Sequence, residues 1–102
     1  MRVVWSSQAT YTWQRIAYYI QDNFGKKAFV DFRNETSLCK KRITSMPQMG
    51  VLETSNNPHI EYRYVLINRR TKMVYHQDGD ILYIDTFWDT RMNPQTLLDE
   101  LN

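Results

Sequence analysis

A few side chains able to carry charge or move a proton are concentrated in the C-terminal third of the chain. Lys72 and His76 lie in a stretch of extended character, and Arg91 follows the last such stretch. Because an imidazole titrates near neutral pH, His76 is a candidate general base. Turn residues separate the stretches, so the sequence predicts a few cationic side chains at the rim of a small sheet.

Two further clusters of basic residues are less directly tied to chemistry. Lys40 and Lys41 lie late in a predicted helix, where they form a solvated face that also complements the helix dipole. Arg69 and Arg70 occupy a predicted turn, where solvation is again the simpler expectation. The alternative for both clusters is contact with a nucleic-acid backbone or, for the lysines, an acidic partner.

Composition excludes several classes of protein. The chain has 102 residues, which we interpret as one domain spanning 1–102. Thirteen Lys and Arg against eleven Asp and Glu give a net charge of only +2, so any basic site must come from local clustering. The two histidines and the single cysteine lack metal-ligand spacing, so we expect no metal and no cofactor. The single cysteine and the absence of a long apolar run predict a cytoplasmic protein without membrane contact.

Hydrophobic periodicity predicts two helices after a short N-terminal strand. Arg2 to Trp5 favours extended structure, and Ser6 or Ser7 can cap the helix that follows. Gly25 is placed to end that helix, and a second helix is predicted from Lys26 to Ser45. Because the connection is so short, the two helices should form an antiparallel hairpin.

The rest of the chain predicts a loop, three strands and a terminal helix. The loop is predicted from Pro47 to Pro58, and the strands over 62–68, 72–77 and 81–88. The last strand has apolar residues in both alternating sets, so we expect it to be central and buried on both faces. One set contains Ile81, Tyr83 and Phe87, and the other contains Leu82, Ile84 and Trp88.

The predicted fold class is α+β. Asn93 and Pro94 are typical of the start of a short C-terminal helix. The order of elements is then β-α-α-β-β-β with that helix at the end. The simplest two-layer solution packs the helix hairpin on one face of a mainly antiparallel four-stranded sheet.

This order and several short motifs resemble the RelE/ParE superfamily of toxins from bacterial type II toxin–antitoxin systems. The resemblance covers nearly the whole chain, and it is clearest in YRYVLI, KMVYHQDGDILYI and FWDTRMNP. Members open the second strand with a tyrosine–arginine pair, as Tyr62 and Arg63 do here. A basic residue, two apolar residues and a tyrosine open the third strand, matched by 72–75. A basic residue follows the last strand, matched by Arg91.

The resemblance implies a growth-inhibiting toxin that is held in a complex by a cognate antitoxin. RelE-like members cut messenger RNA in the ribosomal A site without a metal, and ParE-like members bind DNA gyrase and trap its cleaved complex. We favour ribosome-dependent mRNA cleavage, because Lys72 and Arg91 match the basic positions of such nucleases. The alternatives are a non-enzymatic gyrase poison, a decayed homologue that acts only as an antitoxin-binding co-repressor, and an unrelated α+β adaptor.

The resemblance also suggests roles for single residues. Lys72 would hold a phosphate as a point charge, unless it is merely a solvated strand residue. Arg91 would stabilise the phosphate or assist the leaving group, with an ion pair to Asp89 as the alternative. Strand alternation places Arg63 opposite Tyr62, so we expect it to be structural or to face the antitoxin.

Two departures from the nuclease pattern favour the non-enzymatic alternatives. The terminal segment MNPQTLLDELN lacks the tyrosine that RelE-like nucleases usually carry there. The second strand has apolar residues, Val65 to Ile67, where such nucleases often place lysines.

Overall fold

The structure is a computed structural model that describes residues 1–90 and Leu101. These residues form two layers, a helix hairpin and a five-stranded sheet. The elements are β1 (Arg2–Trp5), α1 (Ser7–Phe24), α2 (Lys26–Ser45), a 3-10 turn (Pro47–Met49), β2 (Val51–Leu52), β3 (Arg63–Ile67), β4 (Thr71–Asp78) and β5 (Ile81–Asp89). The strand order is β1-β5-β4-β3-β2. The β1–β5 pair is parallel and the other pairs are antiparallel.

The predicted α+β class and the mainly antiparallel sheet are confirmed, but the strand number is wrong. The sheet has five strands because β2 forms inside the segment predicted as a loop from Pro47 to Pro58. Two residues are too few to show a periodic pattern, and β2 exists because it pairs with Arg63 and Tyr64 at the edge of β3. The predicted C-terminal helix and Arg91 lie outside the described residues.

Local capping explains why the helices begin and end where the sequence predicts. The Ser6 hydroxyl accepts a 2.9 Å hydrogen bond from the Ala9 N–H, which satisfies one of the free donors at the start of α1. Gly25 joins the helices with a φ of 92°, a conformation that costs glycine little. Across the hairpin, the Trp13 Nε1–H donates to the Thr36 hydroxyl at 3.0 Å.

The main core lies between the helices and the sheet. Aromatic contacts hold each layer together: the Trp5 and Phe87 ring centroids, both from the sheet, are 5.1 Å apart, and the Trp13 ring of α1 stacks on Phe32 of α2 at 5.6 Å. The fully buried members include Ala9, Phe32, Ile43, Ile67, Met73, Tyr75, Leu82, Ile84 and Phe87. Neither helix of the described chain is long and apolar enough to cross a membrane.

A β-bulge in β5 corrects the predicted faces of that strand. Val74 pairs with Thr86 but Tyr75 pairs with Ile84, so Asp85 has no opposite residue in β4. After the bulge the alternation changes, and Phe87 joins the helix-side core while Trp88 packs in a second cluster on the other face. The predictions that Phe87 shares a face with Ile81 and Tyr83, and that Trp88 shares one with Leu82 and Ile84, are therefore wrong. The prediction that β5 is an interior strand is confirmed, because it lies between β1 and β4.

Helix α1 supplies the hydrogen bond that the strand cannot make beside the bulge. The Thr12 hydroxyl accepts from the Phe87 N–H at 3.0 Å and donates to the Gln8 carbonyl at 2.8 Å. A buried N–H without a partner costs free energy, so this contact stabilises the irregular strand.

We expect Thr12→Val to lower the free energy of unfolding by about 1–2 kcal/mol, because valine keeps the shape but leaves the Phe87 N–H unsatisfied. Urea denaturation monitored by circular dichroism measures the change. Thr10→Val is the matched control, since the exposed Thr10 hydroxyl bonds only to the Ser6 carbonyl of its own helix start. Equal losses in the two variants would contradict the assigned role of Thr12.

Candidate functional site

The sheet face that turns away from the helices carries most of the titratable side chains of the strands, and we call it the distal face. Alternation along β3, β4 and β5 puts aromatic and ionisable groups there. Its members are Tyr62, Tyr64, Lys72, Val74, His76, Tyr83, Asp85 and Trp88. Tyr62, Val74 and Trp88 form a small buried cluster with Leu101, so part of this face is packed.

His76 and Asp85 form a hydrogen-bonded pair on the distal face. The His76 Nδ1 atom lies 2.7 Å from the Asp85 Oδ2 atom, and each side chain is 17% exposed. The Tyr83 ring stacks on the imidazole at 5.0 Å, and the Tyr62 ring meets it edge-on at 5.4 Å. Packing on both sides therefore holds the imidazole in one orientation.

Asp85 is a site residue that the sequence analysis missed. Its place in the bulge is held by the Ser6 hydroxyl, which donates to the Asp85 carbonyl at 2.8 Å. An acidic residue inside the apolar run ILYIDTFW was the signal that could have identified it. Its pairing with His76, which lies on the neighbouring strand, depends on the register and the bulge, and neither is visible in the sequence.

Burial dominates the electrostatics of this cluster. Desolvation raises the pKa of the Asp85 carboxyl, while the hydrogen bond and the charge of His76 oppose that rise. Desolvation also raises the pKa of the Tyr62 hydroxyl, and the nearby Asp85 charge adds to the effect. Tyr62 therefore stays protonated at neutral pH, and its hydroxyl donates to the Leu101 carbonyl at 3.4 Å.

Lys72 lies on the distal face with its charge already matched. Its Nζ atom is 2.6 Å from the Glu53 Oε2 atom, and the two side chains are only 21% and 10% exposed. The same ammonium lies 4.3 Å from the centroid of the Tyr64 ring. A phosphate would have to compete with Glu53 for this lysine, a contact that the sequence analysis did not anticipate.

Arg63 bonds to the segment after α2 and alternates with the core residues Val65 and Ile67, so it lies away from the distal face as alternation predicts. Its guanidinium donates to the carbonyls of Gln48 at 3.3 Å and Gly50 at 2.8 Å, and it pairs with Glu61 at 3.2 Å. These contacts tie the segment after α2 to the sheet, which is a structural role.

Tyr75 ties the same segment from the sheet side. Its hydroxyl donates to the Pro47 carbonyl at 2.6 Å and accepts from the Gly50 N–H at 3.0 Å. Burial raises the pKa of this hydroxyl, although the Gly50 N–H and the Arg63 charge oppose the shift. A side chain at Gly50 would meet the Tyr75 hydroxyl at 2.5 Å and the Tyr64 carbonyl oxygen at 2.9 Å.

Gly50→Ala is expected to lower the free energy of unfolding by about 1–2 kcal/mol, because the added methyl group must displace the Tyr75 hydroxyl and also meets the Tyr64 carbonyl oxygen. Thermal and urea unfolding check the value. The loss should be smaller in a Tyr75→Phe background, where the clash with the hydroxyl is gone. If the effects of the two substitutions are additive, the clash with the Tyr75 hydroxyl is not what destabilises Gly50→Ala.

The remaining basic candidates are not brought to the distal face. Lys40 and Lys41 lie on α2, which covers the opposite side of the sheet. Arg69 and Arg70 are exposed in the β3–β4 turn, where Asn68 and Arg69 have positive φ. Arg91 lies outside the described residues, so the structure says nothing about its position.

One cavity gives His76 contact with solvent-accessible space. Its volume is about 260 Å³, and its lining includes Gln48, Glu61, Arg63, His76 and Gln77. Arg63 contributes no free cation to it, since its donors are engaged by two carbonyls and Glu61. The described residues contain no group of three or more metal-ligating side chains that could hold a metal ion.

Comparison with known proteins finds a similar fold but no similar sequence. No family model matches the sequence, and no curated protein matches it either. Among solved structures, the chain is similar to one from the chromosomal ParDE TA system from P. aeruginosa, with a TM-score of 0.70. The two are 14% identical, and the match covers 87% of this chain and 95% of that one. The two chains therefore share a fold over almost their whole lengths.

Proposed function

We propose that this protein is the toxin of a type II toxin–antitoxin pair, neutralised in the cytoplasm by a cognate antitoxin. The observation that carries the proposal is the shared fold with a chain of the ParDE system over 87% of this chain. The resemblance of the strand motifs to the RelE/ParE superfamily points in the same direction. Fold alone does not determine activity, so the mode of action must come from the distal face.

We propose ribosome-dependent cleavage of mRNA as the first mode of action. His76 and Asp85 supply a candidate proton acceptor that is already hydrogen-bonded on the distal face. Lys72 lies on the same strand and face, where it would stabilise the phosphate once Glu53 releases it. The ribose 2′-hydroxyl is the nucleophile in such a reaction, so no metal is required.

Non-enzymatic binding of DNA gyrase is the second mode, and one observation favours it. Glu53 neutralises Lys72, and Arg63 points to the helix side, so among the described residues neither supplies the distal face with a free cation. A nuclease needs such a cation to offset the charge that grows on the phosphate, whereas a protein-binding surface does not. An inactive co-repressor that only binds its antitoxin would share the same surface.

Induced expression in a bacterial host separates these modes. The proposal expects growth arrest that is relieved by co-expression of a small reading frame adjacent to this gene. Mapping of mRNA 5′ ends should then show cuts at ribosomal A sites, and a gyrase-cleavage assay should show no accumulated DNA breaks. DNA breaks with intact mRNA would establish the gyrase mode, and normal growth would contradict a toxin altogether.

A further inference from the structure

We propose that Asp85 is the positioning residue that makes His76 the general base for RNA cleavage on the distal face. This inference rests on the proposed nuclease mode and deepens it by naming the proton acceptor and the group that orients it. It starts from the 2.7 Å contact between Nδ1 of His76 and Oδ2 of Asp85.

The contact fixes which ring nitrogen can act. When Asp85 is ionised its carboxylate only accepts hydrogen bonds, so in that state Nδ1 carries the hydrogen that lies between the two groups. The neutral imidazole then has its lone pair on Nε2, the nitrogen free to take a proton from a substrate. Asp85 therefore selects the reactive tautomer, and it stabilises the imidazolium that forms after proton transfer.

The surroundings hold both groups in place before substrate arrives. Tyr83 stacks on the imidazole with an interplanar angle of 15°, and Tyr62 contacts its edge. Asp85 is held by the bulge in β5 and by the Ser6 hydroxyl on its carbonyl. Such preorganisation is what a positioning residue needs, since a displaced base loses most of its effect.

The remaining exposure of the pair leaves a route for substrate. Each side chain is 17% exposed, and His76 lines the 260 Å³ cavity at the end of the sheet. The titratable groups in contact with the imidazole are Asp85, Tyr62 and Tyr83, and the Glu61–Arg63 ion pair lines the same cavity. Of the groups in contact with the ring, Asp85 is the carboxyl group, and it is the one that bonds to the imidazole.

The reaction balances without any added reagent. Nε2 of His76 takes the proton of the ribose 2′-hydroxyl while O2′ forms a bond to phosphorus and the bond from phosphorus to O5′ breaks. The departing O5′ takes a proton from water, and the imidazolium returns its proton to water. The products are a 2′,3′-cyclic phosphate and a 5′-hydroxyl, so the net change moves one proton from O2′ to O5′.

A reconstituted translation system with a defined mRNA tests the inference, using the full-length chain released from its antitoxin. His76→Ala should lower the cleavage rate by about 10²–10⁴-fold. Asp85→Asn should lower it by about ten-fold or more, because the amide no longer enforces the reactive tautomer. Asp78→Asn, an exposed carboxylate on the same strand as His76, should cleave at the wild-type rate.

Two readouts distinguish positioning from a structural role. Asp85→Asn should shift the acidic limb of the pH–rate profile to lower pH, because the imidazolium loses its counter-ion. Added imidazole should restore cleavage by His76→Ala but not by Asp85→Asn. If Asp85→Asn does not fold, the rescue of His76→Ala still tests the general base. Unfolding curves and antitoxin binding establish that each variant is native.

The outcomes separate this inference from the proposed function. If the wild-type chain cleaves mRNA and Asp85→Asn cleaves it with the same rate and pH profile, Asp85 is not a positioning residue, and the proposed nuclease function is unaffected. If added imidazole does not restore cleavage by His76→Ala, the role of His76 as general base is overturned. If the wild-type chain arrests growth while mRNA stays intact, the whole inference is overturned but the proposed toxin function is not. If growth is not arrested, the inference and the proposed toxin function are both overturned.

Discussion

Replacing Phe87 with alanine should lower the free energy of unfolding by about 3–5 kcal/mol, the range expected for truncating a fully buried aromatic side chain. The Phe87 side chain is 1% exposed, and its ring centroid lies 5.1 Å from that of Trp5. Removing the ring leaves a cavity in the helix-side core beside Trp5 that the close-packed surroundings fill only in part. Urea denaturation with Trp fluorescence measures the loss.

Phe24→Ala provides the matched control for Phe87. It removes the same ring from a side chain that is 63% exposed at the end of α1, so little buried apolar surface is lost. The two variants should therefore differ by several-fold in their effect on the free energy of unfolding. A small loss of unfolding free energy for Phe87→Ala would contradict the position of this ring in the helix-side core. It would then also contradict the bulge in β5 that places the ring there.

Local patterns were sufficient to predict the framework that carries the site. The bounds of α2 are those predicted, because Gly25 and Pro47 bracket a run with helical periodicity. The strand alternation of β3 places Arg63 on the side of Val65 and Ile67, again as predicted. Caps, turns and periodicity act within a few residues of one another, so a single sequence contains them.

The contacts that define the candidate site join residues that are distant in the sequence or displaced by an irregularity. Glu53 meets Lys72 because two-residue β2 adds to the edge of β3, and no pattern predicts so short a strand. Asp85 meets His76 at a bulge, and near that bulge Thr12 of α1 accepts the Phe87 N–H. The bulge also explains the wrong face predicted for Phe87, since one extra residue reverses all later alternation.

The second large effect concerns the Lys72–Glu53 pair. We expect Lys72→Met to lower the free energy of unfolding by about 2–3 kcal/mol, because it leaves the Glu53 carboxylate unpaired at 10% exposure. Glu53→Gln should cost less, since the neutral amide still accepts a hydrogen bond from the ammonium. A double-mutant cycle measures the coupling between the two side chains, and urea denaturation supplies the four values.

The Lys27–Asp31 pair on α2 is the control for that cycle. Its N–O distance is 3.1 Å, but the two side chains are 89% and 58% exposed, so solvent and salt screen the attraction. We expect its coupling to be weak and to vanish at high salt, while the coupling of Lys72 with Glu53 persists. Equal coupling in the two pairs would show that Glu53 is not held in a desolvated contact.

The Glu53→Gln substitution also separates stability from function at the Lys72–Glu53 pair. Because Glu53 neutralises the ammonium that a nuclease would use, Glu53→Gln should reduce stability and yet strengthen RNA binding. A lysine freed from its counter-ion gains one phosphate contact, which steepens the salt dependence of binding by about one counterion. Filter binding of a short single-stranded RNA across a salt series measures this slope, with Asp31→Asn as the charge-matched control. Tighter binding by both variants would reflect net charge alone, whereas an effect confined to Glu53→Gln would identify Lys72 as the phosphate contact.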